Sequence, residues 1–353
     1  MSLYVHIARL ICCATFLCFA GTGMAASTAQ KDPPNNEQLH VVLLLPGHLG
    51  DRSYNDALYE GLVRAARDFG INYALAVADK SADLDKFFES TASSDADLVI
   101  SGDPMFQQIL AKRVSEHPRK RFASIDMDVN APNVLSVVFA SGEGAFLAGA
   151  AAAIFAGHEH VPGMGKNPAL GWIGGEQNAL MEEFKNGFIQ GVAYVNPQLK
   201  VLTGYAGSFD DPAKAKSIAA DMYAKGVRVI MHVAGRSGLG VFEAADAAKA
   251  YAIGVDRNQD AVKPGRILTS LLKRVDIAVW YVIERLTSGA FEGGSILKMN
   301  VGNAGMSLTG MNVIRHALGD AFPEELPGRI EEITQELKTG KIKIAPAAPV
   351  SAQ

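Results

Sequence analysis

The feature that most limits the fold of this chain is an alternation of short apolar runs with amphipathic stretches, which begins near His40 and occurs twice. Strand-like runs are predicted at 41–45, 74–77, 98–101, 122–125 and 135–139, and again at 170–173, 201–205, 227–233 and 251–255. Helices are predicted at 55–69, 84–93, 106–116, 144–157, 181–194, 212–225, 240–249, 274–286 and 324–337. Such alternation predicts mainly parallel sheets with helices on both faces.

Because the pattern restarts after the small-residue helix 144–157, we expect two α/β lobes, and 353 residues are more than one ordinary compact core requires. The first lobe is expected to comprise 40–140 plus about 265–290, and the second 141–264 plus about 291–325. A C-terminal helix and tail would occupy 326–353.

The first 25 residues read as a signal peptide, with Arg9 before an apolar run at 10–20 and small residues at 21–26. The apolar run is shorter than the ~20 residues that a membrane-spanning helix needs. We therefore predict cleavage after Ala25, a flexible lead-in at 26–39 and a soluble periplasmic protein. The three cysteines, Cys12, Cys13 and Cys18, lie within this segment, so we expect neither a lipid anchor nor a disulfide or thiolate metal site.

Composition excludes several classes of function. With 48% apolar residues, 20% charged residues and a net charge of −4, the chain offers no basic surface for nucleic acid. It carries no Gly-x-Ser-x-Gly elbow and no His-Glu-x-x-His helix, and His158-Glu159-His160 lies in a Pro/Gly-rich loop unsuited to zinc. We predict no enzymatic activity, no metal and no cofactor.

Ligands of open parallel sheets bind beyond the carboxyl ends of the strands. The residues at these positions are polar and Gly-rich here, at 47–51, 102–104, 126–128, 174–176, 234–238 and 256–258. Asp126 and Asp256 each end a strand, one per lobe, so they would face each other across a cleft. Paired carboxylates can serve acid–base catalysis, accept bonds from vicinal sugar hydroxyls, or be solvated turn residues. Binding is favoured because no nucleophile accompanies them.

Two further segments lie at this predicted cleft. The stretch 50–61 follows the first strand and suits polar ligand recognition, although Ser53 and Asp56 also fit a capping box for the next helix. The loop 235–240 is Gly-rich like a phosphate-binding loop but lacks the Lys-Ser/Thr ending, so close backbone approach of Gly235 to a neutral ligand, or a tight turn, is favoured.

From about 40 to 346, the chain resembles the basic membrane protein family of ABC-transporter solute-binding proteins, which includes purine nucleoside receptors. The motifs that carry the resemblance are Asp-Arg-Ser-Tyr-Asn at 51–55, Glu-Gly-Ala-Phe-Leu-Ala-Gly at 143–149, Phe-Lys-Asn-Gly-Phe at 184–188, Gly-Ser-Phe-Asp-Asp-Pro-Ala-Lys-Ala-Lys at 207–216, Gly-Leu-Gly-Val-Phe-Glu-Ala at 238–244, Ile-Gly-Val-Asp at 253–256 and Thr-Ser-Leu-Leu-Lys-Arg-Val-Asp at 269–276. The resemblance implies a type I periplasmic-binding-protein fold, in which a multi-strand hinge joins two doubly wound parallel-sheet lobes.

The resemblance also implies a nucleoside held between aromatic rings, with carboxylates on its ribose. By position, Asp126 and Asp256 would hold the ribose, Lys273 would support the polar network, and Asp51 and Asn55 would meet the base or sugar. The aromatic candidates are Tyr54, Tyr59 and Phe242. The implied function is a monomeric, exported receptor that delivers a nucleoside-like small molecule to ABC permease subunits. The alternative is a periplasmic ligand-sensing receptor for a membrane kinase or chemoreceptor.

Overall fold

The computed structural model of the protein describes residues 38–77 and 83–347. The predicted signal peptide and nearly all of the lead-in lie outside these residues. The strands are β1 His40–Leu45, β2 Asn72–Val77, β3 Leu98–Ser101, β4 Arg121–Ile125, β5 Val134–Phe139, β6 Ala169–Gly174, β7 Val201–Tyr205, β8 Val227–Val233, β9 Tyr251–Asp256, β10 Ile267–Lys273, β11 Ile296–Met299 and β12 Met306–Leu308. The helices are α1 Tyr54–Phe69, α2 Leu84–Ala92, α3 Pro104–Arg113, α4 Ser141–Ala156, α5 Ala179–Val195, α6 Pro212–Ala224, α7 Gly238–Ala247, α8 Val275–Thr287, α9 Asn312–Leu318 and α10 Leu326–Lys338.

These strands form two six-stranded sheets, ordered β2-β1-β3-β4-β5-β11 and β7-β6-β8-β9-β10-β12. The strand pairs are parallel except for β10 with β12, which is antiparallel. In each sheet the first strand of the series lies between the second and third, which is the doubly wound order with a switch point beside that first strand. The predicted architecture of two parallel-sheet α/β lobes is confirmed.

Within residues 83–347 the chain crosses between the sheets three times, between β5 and α4, between β10 and α8, and between β11 and β12. The crossing segments bond to one another, because the Ala140 amide donates to the Met299 carbonyl at 2.8 Å and the Arg274 amide to the Gly305 carbonyl at 3.0 Å. The Val301 amide also donates to the Glu143 carboxylate at 3.0 Å. These bonded crossings form the hinge between the lobes.

The last third of the chain is divided between the lobes differently from the sequence expectation. Strand β10 lies in the second sheet, although 265–290 is predicted in the first lobe, while α8 within the same range does pack against α1. Strand β11 lies in the first sheet, although 291–325 is predicted in the second lobe. The reason is long-range strand pairing, because β10 pairs with the free edge of β9 and β11 pairs with the free edge of β5. The local sequence pattern does not encode such partners.

Helix α4 begins the second lobe and is buried along almost its whole length. It packs against α5 at very short range, because a Cβ atom on Gly149 would lie 2.1 Å from the Phe188 carbonyl oxygen and one on Gly191 2.0 Å from that of Phe146. Small residues therefore permit the contact of these two helices. Within the residues that the structure describes, no helix is both long and apolar enough to cross a membrane.

Candidate functional site

The carboxyl ends of strands from both sheets meet at a cleft between the lobes, and two of the predicted carboxylates lie there. Asp126 directly follows β4 of the first sheet, whereas Asp256 ends β9 of the second. Lys273, at the end of β10, donates to the Asp126 carboxylate and is only 2% exposed. The sequence-predicted trio of Asp126, Asp256 and Lys273 is therefore brought together from different lobes.

Both aspartates have a backbone conformation that is uncommon for residues other than glycine. The φ angle is 79° at Asp126 and 67° at Asp256, in the left-handed region. Each residue stands at the carboxyl end of its strand, where this turn of the backbone directs the chain away from the sheet. Strained conformations of this kind concentrate at binding sites, so their occurrence at two matching positions supports a functional role.

The Asp256 carboxylate is buried and has few donors. It accepts a hydrogen bond from the Ser53 hydroxyl across the cleft. Burial raises the pKa of Asp256 from its ordinary value of 3.8 to about 6, although the charge of Lys273 and the Ser53 bond act in the opposite direction. Ser53 and Lys273 therefore do not fully offset the cost of burying this charge, and a ligand hydroxyl could supply a further donor.

Aromatic rings surround the Lys273 ammonium group. The Nζ atom lies 5.2 Å from the ring centres of Phe139 and Phe184 and 5.7 Å from that of Tyr54. The Tyr54 hydroxyl is buried beside the Asp126 carboxylate and makes no hydrogen bond of ordinary geometry among the described residues. Burial, together with the charges of Asp126 and Asp256, holds the Tyr54 pKa well above its usual range, so this hydroxyl stays protonated and can donate.

The Asp51 carboxylate holds the start of α1. Its carboxylate accepts bonds from the backbone amides of Ser53 and Asn55, both at 2.9 Å, and of Asp56 at 3.2 Å. The predicted capping box therefore does not form as expected, because the Ser53 side chain bonds Asp256 and makes no cap bond. Burial raises the pKa of Asp51. The first turn of α1 is held by Asp51, which leaves Ser53 free to reach the other lobe.

Asn55 lies beside this turn, and only one of the two polar atoms of its side-chain amide has a hydrogen-bond partner among the described residues. Its Nδ2 atom donates to the His48 carbonyl at 3.3 Å. Its Oδ1 atom is buried and lacks a partner within the described part of the chain. The predicted ligand contact of Asn55 would therefore use this oxygen as an acceptor.

Comparison with known proteins identifies the family of this chain. The family model of PnrA-like ABC transporter substrate-binding proteins matches residues 38–344. The chain belongs to this family. Similar proteins include the ABC transporter nucleoside-binding protein BmpA of Lactococcus lactis, 30% identical over 307 residues that cover 80% of this chain and 85% of the relative. Basic membrane protein B of Borreliella burgdorferi is 28% identical over 310 residues, covering 84% of this chain and 85% of the relative.

A solved structure shares the fold of this substrate-binding protein. An ABC transporter solute-binding protein from Aeropyrum pernix superposes with a TM-score of 0.78 at 28% identity, covering 87% of this chain and 93% of that one. The predicted family and periplasmic-binding-protein fold are thus confirmed. The family consists of substrate-binding proteins and not of enzymes.

Two of the predicted aromatic residues of this substrate-binding protein lie away from the cleft. Tyr59 packs edge-on against Tyr73 of β2, with 6.4 Å between ring centres, and lines a separate cavity of about 380 Å³ on the outer face of α1. Phe242 is fully buried in the apolar core of the second lobe, where its ring centre lies 4.9 Å from that of His232. Phe242 therefore lies in a core and Tyr59 lines a different cavity, so neither ring is placed beside Asp126 or Asp256.

One aromatic residue that the sequence analysis did not name lies beside two of the predicted post-strand segments, 174–176 and 234–238. Phe209 follows β7 and is 36% exposed, and its ring lies against Gly175, where a Cβ atom would be 2.3 Å from Phe209 Cδ1. Gly235, with φ of 52°, adjoins it, since a Cβ there would be 3.1 Å from the Phe209 carbonyl oxygen. The signal was present, because the rule that ligand-binding residues follow strands also applies to 206–211.

One group of potential metal ligands lies outside the cleft. Glu89, Glu116 and His117 bring ligand atoms within 4.8 Å of one another. However, the Arg113 guanidinium donates to Glu89 at 2.9 Å and to Glu116 at 2.7 Å. We interpret this group as an ion-pair network within the first lobe, because a cation already neutralises both carboxylates.

Proposed function

We propose that this protein is an exported solute-binding protein of an ABC importer and that it binds a nucleoside, specifically a purine nucleoside, in the cleft. The observation that carries the proposal is the pairing of Asp126 and Asp256, which approach the cleft from opposite lobes in the same left-handed conformation. Carboxylates accept two hydrogen bonds and therefore suit the vicinal hydroxyls of ribose. The nucleoside-binding relative from Lactococcus lactis supports the same ligand class.

The cleft residues have complementary tasks in this proposal. Asp126 and Asp256 accept from the ribose hydroxyls, while Lys273 balances their negative charge. Tyr54 and Phe209 offer aromatic surfaces for the base, which is a flat, polarisable group that stacks on such rings. The Asn55 Oδ1 atom accepts from an N–H or O–H group of the ligand.

Ligand binding would couple to the arrangement of the lobes. A nucleoside that bonds Asp126 of one lobe and Asp256 of the other makes both contacts only when the lobes are together. The ABC permease then meets a monomeric receptor whose two lobes present one joined surface. Small-angle scattering should show a smaller radius of gyration with saturating nucleoside than without it.

Isothermal titration calorimetry tests the ligand class. Adenosine, guanosine and inosine should bind, and the matching free bases should bind much more weakly. Each charge-assisted bond from a ribose hydroxyl contributes roughly 1.5–3 kcal/mol, which corresponds to about 10- to 150-fold in Kd. Bases that bind as tightly as their nucleosides would show that the carboxylates do not hold the sugar. Free ribose and arabinose serve as controls for a plain sugar receptor.

Export to the periplasm is part of the proposal and has its own test. The N-terminal sequence predicts cleavage after Ala25 and no lipid, because the three cysteines precede that bond. The intact mass of protein purified from the native cell envelope should equal residues 26–353 without an acyl group. A mass that includes a lipid, or that retains residues 1–25, would contradict this part.

A further inference from the structure

A set of polar contacts joins the lobes at the mouth of the cleft, apart from the residues proposed to hold the ligand. Arg257 directly follows the strand β9 of the second lobe. Its Nη1 atom donates to Asp56 Oδ2 at 3.3 Å, and its Nη2 atom donates to Glu60. Asp56 and Glu60 stand one turn apart on α1 of the first lobe. One guanidinium group therefore connects the second lobe to two carboxylates of the first.

The Asp56 carboxylate is held in place by contacts within its own lobe. Asp56 accepts the backbone amides of Gly50 at 2.7 Å and Arg52 at 2.9 Å, and its side chain is only 18% exposed. An acceptor whose position is set by the surrounding backbone loses little conformational freedom when the guanidinium binds. The pair can therefore contribute more than a freely mobile surface ion pair.

A second contact beside Arg257 joins the same two segments. Gln259 donates from Nε2 to the Arg52 carbonyl at 2.8 Å, across the lobes. Its Oε1 atom accepts the Val255 amide at 2.8 Å, and the residue is 1% exposed, so its side chain is held in place. Arg257 and Gln259 thus form a continuous strip, defined as the latch, that contacts residues 52–60 of the first lobe.

We infer that this latch stabilises the joined arrangement of the lobes, and that Arg257 sets ligand affinity without touching the ligand. The latch contacts exist only when the lobes are together, so they increase the population of the binding-competent form. Apparent affinity scales with that population. Because Arg257 and Gln259 are not among the residues proposed to hold the ligand, loss of the latch should weaken every ligand by the same factor.

The substitution Arg257→Gln tests the latch by removing the charge while keeping a polar side chain. It should raise Kd about 2- to 5-fold, the range expected for a partly exposed ion pair. The factor should be equal for each nucleoside that binds. The matched control is Arg113→Gln, since Arg113 is similarly exposed (25% against 29%) and also binds carboxylates, but within one lobe. The control should bind like the parent.

A double-mutant cycle with Glu60→Gln locates the partner. Glu60→Gln alone should weaken binding, and its addition to Arg257→Gln should cause little further loss, because the partner is already absent. High ionic strength should weaken the parent more than Arg257→Gln, since salt screens the guanidinium–carboxylate attraction. Thermal melts of both variants check that each lobe remains folded.

The affinity test of the latch rests on the proposed function, because it uses nucleosides as ligands. The possible outcomes nevertheless distinguish a failure of the latch from a failure of the proposed function. A uniform loss with Arg257→Gln and none with Arg113→Gln supports the latch. Parent-like binding, or a loss that changes the ranking of ligands, overturns it. If no nucleoside binds, the proposed ligand class fails, and scattering of the protein alone decides on the latch. A larger radius of gyration for Arg257→Gln than for the parent and Arg113→Gln supports it, and equal radii overturn it.

Discussion

Replacing Asp256 with asparagine should make the protein more stable near neutral pH and a weaker nucleoside binder. A solvated carboxylate at the rim of a cleft could be changed with little effect on stability. Asp256 is different, because it is 9% exposed and the net effect of its surroundings raises its pKa to about 6. Its ionised form is therefore disfavoured in the folded protein, and an amide of the same shape removes that cost.

The magnitude follows from the shift in pKa. A rise from 3.8 to about 6 is roughly two units, or about 3 kcal/mol at 1.36 kcal/mol per unit. The contribution of Asp256 to stability is most favourable below pH 3.8 and is lost as the pH rises through about 6. The stability advantage of Asp256→Asn should therefore be full near pH 7 and should vanish near pH 4. At ~2–4 °C per kcal/mol, the change in Tm is measurable.

The matching substitution Asp126→Asn should lower the stability of the free protein, in contrast to Asp256→Asn. Asp126 is the ion-pair partner of Lys273, which is 2% exposed. Asp126→Asn leaves this buried ammonium without its counter-charge, and breaking a buried pair costs roughly 3–5 kcal/mol. Two aspartates proposed for the same ligand thus differ in their effect on the free protein.

Urea unfolding of the parent and both variants between pH 4 and pH 7.5 decides this prediction. Calorimetry at neutral pH should show that both variants bind nucleosides at least about 10-fold more weakly, because each loses a charge-assisted bond. Asp256→Asn that is no more stable than the parent at pH 7, or an advantage that does not change with pH, would refute the reasoning about its buried charge.

Three further predictions follow from neighbouring residues. Phe209→Ala should lower nucleoside affinity by the ~1–3 kcal/mol of one stacked base. Phe242→Ala should instead lower the free energy of unfolding by about 3–5 kcal/mol. Calorimetry and urea unfolding of both variants distinguish a ligand contact from a packing role. Burial lowers the pKa of His232 to about 4, so its contribution is lost as the pH falls below 6.5, and His232→Leu should resist acid better in a pH series of thermal melts. Tyr54→Phe should leave the Tm unchanged or higher and weaken nucleoside binding about 2- to 10-fold by calorimetry; equal binding would show that the hydroxyl makes no ligand contact.

Much of the fold could be predicted because periodicity is a local property. Strands β3, β7 and β8 have the bounds that their apolar runs predict, and the strand-to-helix rhythm is sufficient for two parallel lobes. Strands β10, β11 and β12 were not predicted as strands. Strands β11 and β12 are short and lie in a Gly-rich region, whereas β10 is a seven-residue apolar run that the sequence analysis did not assign. The lobe to which β10 and β11 belong is set by pairing with the free edges of β9 and β5. Such pairing is set by the assembled sheet and not by the run itself.

The site residues could also be predicted only where the local sequence determines their position. Position after a strand was enough to select Asp126 and Asp256, because the carboxyl ends of parallel strands always face the cleft. Position on a helix was not enough for Tyr59 and Phe242, since the face that a helical residue presents depends on what packs against it. The role of Asp51 was missed for a related reason, as its carboxylate is consumed by backbone amides of its own turn.

The costs that the free protein carries in the cleft bear directly on its selectivity. The buried Asp256 charge, the buried Tyr54 hydroxyl and the unpartnered Asn55 oxygen each lower stability within the described structure. A ligand that donates to the two acceptors and bonds the hydroxyl removes all of these costs at once. A ligand that lacks hydroxyl or N–H groups would bury these three protein groups without hydrogen-bond partners. Sites built to bond a polar group reject analogues that lack it far more strongly than apolar pockets reject a missing methyl. The same groups that limit the stability of the empty cleft are therefore those that should exclude free bases and deoxygenated sugars.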